Sequence, residues 1–151
     1  MGILLWVMNA MNSRDVIHSI LKSSQTEQVR LNYILSNSML PQLRLALTGH
    51  LARFHNFETE AHCLATQRGW DIPDLSVMAE FLTEHKTRNR LRFHKTDSHI
   101  AAIAIMSNTQ AMISHLQIVP PADALSTGIS ILSQRYLDCI QEHIRQLKPF
   151  L

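Results

Sequence analysis

The sequence predicts an all-α protein, and three observations carry that expectation. Glycine and proline are scarce, with 4 and 5 among 151 residues, whereas a sheet protein needs turns at short intervals. Leu, Ala, Ile, Met and Gln, which tolerate helix well, fill the stretches between them. Apolar residues also recur at three- and four-residue spacing through four long segments, the period of one helical face. One compact domain is expected at this length, with residues 13–151 forming a four-helix bundle and residues 1–12 an apolar N-terminal segment.

The first helix is expected to begin after Asn12 or Ser13, either of which can cap free amides, with Asp15 well placed for the helix dipole. Its inward stripe is Ile17, Ile20, Leu21, Ser24, Glu27, Leu31, Ile34 and Leu35. "SNSMLP" breaks this helix, and Pro41 suits the first turn of the next, where its missing N–H has no intrahelical partner. The second helix should run to about Arg68, burying Leu43, Leu47, His50, Phe54, Phe57, Ala61, Leu64 and Ala65. Gly69 then provides a left-handed stop, and Trp70 can fold back over the end of the bundle.

The next 28 residues, Asp71 to Ser98, are too many for a turn between antiparallel neighbours. Leu75, Met78, Phe81 and Leu82 suggest a short amphipathic helix within them, followed by an exposed basic run until Asp97 or Ser98 caps the third long helix. That helix, near 98–118, is expected to bury Ala102, Ile105, Met106, Thr109, Met112, Ile113 and Leu116, with Ile100 and Ile103 widening the face. Pro120 and Pro121 end it. The fourth runs from about Ala122 to Leu147, with Leu125, Ile129, Leu132, Tyr136, Ile140, His143, Ile144 and Leu147 aligned. Short outer links and a long crossover between the second and third helices match the ferritin-like arrangement of two antiparallel hairpins.

The N-terminal "MGILLWVMNAM" has no basic flank and is far shorter than the ~20 residues a membrane-spanning helix needs, so no membrane span is expected. Met8 and Met11 offer alternative starts, making the segment either upstream sequence or a length of chain that covers the bundle. Cys63 and Cys139 are the only cysteines, without the spacing of a zinc or redox motif, and are expected as reduced thiols.

From Asp15 to Trp70 the chain resembles the spore coat protein F family of spore-forming bacteria. The likeness lies in the order of features: a helix carrying Lys22, Glu27 and Tyr33, then "LPQLR", a polar amphipathic helix, and the terminal "RGW" of Arg68 to Trp70. In that family a proline followed by Leu-Arg opens the second helix and a Gly-Trp closes it. Here Asp71 stands where an aromatic usually follows, and the glutamate commonly found before the proline is missing from "SNSML". The resemblance implies a ferritin-like fold and a spore coat setting, and carries no catalytic residues.

A ferritin-like frame raises the question of a di-iron centre, which needs an inward Glu on each of two helices and a Glu-x-x-His on each of the other two. No Asp or Glu lies between Asp97 and Asp123, so the third long helix has no carboxylate to contribute. A smaller site is the alternative: His55, Glu58 and His62 share one side of the second helix and offer two imidazoles and a carboxylate to a transition metal, against a solvated-flank reading. Glu27, His50 and His143 lie on core faces and are expected to form a polar cluster in which Glu27 finds a hydrogen-bonding partner, with Tyr33 or Tyr136 as further members.

Formal net charge is a mild +2, so a nucleic-acid partner would need a local patch. Lys86, Arg88, Arg90 and Arg92, with Lys95, provide one as a nucleic-acid or partner surface, but without an aromatic stacking platform no nucleic acid is expected. Met78, Met106 and Met112 are read as core packing, and no cofactor is expected. The resulting expectation is a non-catalytic structural or assembly protein, cytoplasmic or in a spore coat, acting as a homo-oligomer such as a dimer and with other coat proteins as further partners. Its alternative is a metal-binding or redox protein with a non-standard His/Glu site.

Overall fold

The computed structural model describes residues 2–121 and 124–151, the side chains of residues 5–11 excepted. It is all-helical, with no strand among the described residues. Among the described residues five α-helices follow one another: α1 (Gly2–Leu35), α2 (Pro41–Gln67), α3 (Val77–Leu91), α4 (Asp97–Ile118) and α5 (Thr127–Leu147), with a closing 3-10 turn at Lys148–Phe150. α1 packs against α2, α4 and α5, and α2 also meets α5. Ile17, Ile20 and Ile34 of α1, Leu47 and Phe54 of α2, Ile100 of α4, and Ile129 and Ile140 of α5 belong to one buried cluster.

The link between α1 and α2 explains the "LPQLR" segment physically. Pro41 occupies the first turn of α2, and one turn later the Arg44 guanidinium donates back to the carbonyls of Leu35 at 2.8 Å and Asn37 at 2.6 Å. A cation thus satisfies acceptors that the end of α1 leaves open. At the far end of α2, Gly69 has φ +69°. Trp70 N–H donates to Ala65 at 2.9 Å and Gly69 N–H to Thr66 at 3.1 Å, the paired bonds of a Schellman stop. Trp70 then packs against the core as expected.

Several expected boundaries differ. α1 begins at Gly2 rather than after Asn12 or Ser13, because neither proline nor glycine interrupts the chain there and Ser13 turns inward instead of capping. Any covering role for residues 5–11 lies outside the described side chains. α5 begins at Thr127, whereas the expected start at Ala122 lies outside the described residues. α4 is capped by Thr96, whose hydroxyl accepts from His99 N–H at 3.2 Å, leaving Asp97 to accept from Leu40 N–H at 3.1 Å and join the starts of α4 and α2.

One long helix is also rotated from expectation. α4 buries Ile100, Ala101, Ile103, Ala104, Ser107, Asn108 and His115, a face about one residue out of phase with the expected one. Met106, Ile113 and Leu116 consequently face outward. Apolar residues surround α4, so burying more of them does not choose a rotation; the polar residues that find partners inside do. In the crossover, α3 lies against α1 and touches α4, but it turns Thr87 and Leu91 inward. Val77, Met78, Phe81 and Leu82 are 83%, 66%, 59% and 50% exposed, so Met78 and Met106 are not core methionines.

Replacing Arg44 with alanine should lower unfolding free energy by about 1 kcal/mol, the scale of losing hydrogen bonds at an exposed site. Urea denaturation followed by circular dichroism measures this, with Arg44→Lys expected between wild type and alanine.

Candidate functional site

The interior of the bundle carries polar groups in separate networks. In one, His50 of α2 and His143 of α5 stack with ring centroids 3.7 Å apart. His50 Nε2 donates to Gln146 Oε1 at 2.8 Å, which leaves Nδ1 a buried lone pair without a partner among the described residues. The other ring has a defined direction. Asn108 Nδ2 donates to Ala104 carbonyl at 2.8 Å, so its Oδ1 accepts from His143 Nδ1–H at 3.2 Å. His143 Nε2 is then the acceptor that faces the Cys139 thiol at 3.3 Å.

This chain, thiol to imidazole to amide to carbonyl, holds every member neutral. Burial pushes the Cys139 thiol up, and burial with the adjacent His50 lowers His143 from 6.5 to about 2. Those shifts oppose a thiolate–imidazolium pair, so the arrangement does not activate a nucleophile. His50 is likewise lowered by burial. Two neutral rings stacked in the core hold the helices α2 and α5 in register.

Glu27 belongs to another network, and its partners are not the histidines. It is 4% exposed, accepts from the Ser107 hydroxyl of α4 at 2.6 Å and 2.5 Å, and pairs with Arg30 one turn along α1. Arg30 also donates to Ser107. The expected cluster of Glu27, His50 and His143 therefore divides into separate networks, although Glu27 does have the partner its burial requires.

Sequence reasoning missed His115, which is wholly buried on α4. Its Nδ1 lies 3.0 Å from the Ser19 hydroxyl and its Nε2 2.8 Å from the Ser133 hydroxyl. Its ring meets Tyr136 edge to face, and the Tyr136 hydroxyl in turn bonds to Ser23. Burial lowers His115 from 6.5 to about 4 and pushes Tyr136 up. A serine beside a histidine suggests nucleophilic catalysis, but this histidine is a weak base with a hydroxyl where an orienting carboxylate would stand. The serines at positions 19 and 133 offered a signal: small hydroxyls on apolar helices, available to partner an inward histidine.

The three residues of the possible metal site also separate. His55 Nδ1 stands 3.7 Å from Glu58, whereas His62 turns to Asp74 of the crossover at 3.2 Å. Asp74 is held there by Gln25, whose amide donates at 2.8 Å while its carbonyl oxygen accepts Leu75 N–H at 2.8 Å. No group of three or more His, Cys, Asp or Glu side chains suited to a metal occurs among the described residues. His55, Glu58 and His62 thus act as two pairs, the second fastening the crossover to α2.

The basic run divides as well, because most of it is helical rather than an exposed connection. Lys86 and Arg90, four apart on α3, line a groove of about 620 Å³ between α1, α3 and α4, together with Lys22 and the Glu27–Arg30 pair. Arg88 lies on another side, bonded to Glu84 at 3.1 Å and over the Tyr33 ring. Arg92 lies over Phe93. The outer face of α3 carries the exposed apolar residues, so this one helix presents a cationic edge and an apolar face. No helix of the described residues is long and apolar enough to cross a membrane.

Comparison with known proteins finds no matching family, curated protein or solved structure.

The interior histidines predict loss of stability in acid. Their folded values lie below 6.5, so the unfolded chain takes up protons first as pH falls; stability is full above 6.5 and declines toward about 4 for His115 and about 2 for His143. Each contributes up to about 1.4 kcal/mol per pH unit within its window. Urea unfolding of His115→Gln, which keeps hydrogen-bonding capacity but does not titrate, should show a flatter pH dependence than wild type below 6.5.

Proposed function

We propose that this chain is a non-catalytic assembly protein, a four-helix bundle of ferritin-like connectivity that works by association with further copies of itself. The observation that carries this reading is the outer face of α3. Val77, Met78, Phe81 and Leu82 fall on one side of the helix, and each is at least half exposed. An apolar strip of this kind gains on the order of 1–2 kcal/mol for each large side chain that a partner covers.

A second copy suits this strip because α3 is self-complementary in charge. Glu80 lies in its first turn and Arg88 in its last, so an antiparallel copy sets acidic against basic ends about a two-fold axis. The protonated thiol and neutral imidazoles of the core favour a structural over a catalytic role. The resemblance of residues 15–70 to spore coat protein F adds a setting, the coat of a spore, with other coat proteins as further partners.

Sedimentation equilibrium tests the association. Wild type should be dimeric at micromolar concentration, and Phe81→Glu should weaken the dimer about a hundredfold with unchanged helix content. A monomeric wild type, or a variant that dimerises equally well, rejects this reading.

A further inference from the structure

We infer that the groove between α1, α3 and α4 binds a small polyhydroxylated phosphate ester, a phosphorylated sugar or polyol. Three cations, Lys22 from α1 and Lys86 and Arg90 from α3, line it. None of the three forms a salt bridge among the described residues. Elsewhere arginines are engaged: Arg44 with backbone carbonyls, and Arg88, Arg135 and Arg145 with glutamates. At the groove floor Glu27 is neutralised by Arg30, so the uncommitted cations leave a net positive field where three helices converge.

The neutral lining identifies the rest of the ligand. Thr26, Gln110 and Ser114 line the groove beside the apolar Met106 and Ala111, and none of the three makes a side-chain hydrogen bond among the described residues. Hydroxyls and an amide can exchange donors and acceptors with a polyol, while the ammonium and guanidinium groups hold its phosphate. No aromatic ring lines the groove, which disfavours a base that must stack and hence single-stranded nucleic acid. A volume of about 620 Å³ suits a small molecule. The site is separate from the apolar outer face of α3 and does not depend on association through it.

Calorimetric titration of the full chain with glucose phosphate, inorganic phosphate and glucose tests the assignment. Glucose phosphate should bind most tightly, inorganic phosphate more weakly, and glucose without measurable heat. Lys86→Ala and Arg90→Ala, both on exposed positions, should each weaken glucose phosphate binding about tenfold, Thr26→Val and Ser114→Ala severalfold, and Lys148→Ala not at all. Circular dichroism of each variant establishes that the fold is intact. Absence of binding to either phosphate compound, equal binding of glucose and its phosphate, or indifference to the α3 substitutions would overturn the proposal. So would preference for a single-stranded oligonucleotide or for vesicles containing anionic lipid over the free ester.

Discussion

Glu27 is a carboxylate inside a helical core, and that constraint governs how the helices around it are turned. A buried carboxylate left alone is worse by about 3–5 kcal/mol than one with its partner, so the structure must bring donors to it. Arg30 arrives from the same helix one turn away, and Ser107 arrives from α4. Bringing Ser107 inward also brings Asn108 and, two turns further on, His115. These meet His143 of α5, and Ser19 and Ser133 of α1 and α5. One requirement for charge compensation thus propagates into a polar seam that orients α4 against both hairpins. Greasy contacts alone, which are nearly uniform around α4, would leave its rotation poorly determined.

How far residues predicted structure follows from this seam. α2 and α5 were readable because their apolar stripes are narrow and flanked by polar residues; every residue named for α5 is buried or packed at the edge of the core. The stop at Gly69 was readable from backbone sterics alone. α4 was not, because a rule that turns the greasiest side inward has nothing to choose between on a helix that is apolar on nearly every side. The amphipathic helix of the crossover was legible too, but Met78, read as core, lies on a face that points away from the chain's own core. His115 was overlooked with the rotation of α4, and Glu27 was correctly judged buried yet paired with Ser107 rather than an imidazole.

The crossover segment combines these themes. Its start is tied to α1 and α2 through Gln25, Asp74 and His62, and its end returns to the core through Leu91. Between these anchors α3 is long enough to present different chemistry on different sides. Its cations flank a recess shared with α1 and α4, while its apolar residues face solvent. A loop without helical periodicity could not separate the two so cleanly, since the hundred-degree step per residue is what distributes them.

The α1–α2 junction has a consequence for the order in which this protein comes into being. Its Arg44 clasp and the neighbouring turn use only residues close together in the chain, so the first half can assemble as a hairpin while the ribosome is still making the second. Ser107 and His115 are then untranslated, and Glu27 and Ser19 must remain hydrated on the nascent hairpin's open side. The later helices then supply Ser107 to Glu27 and His115 to Ser19 in place of that water.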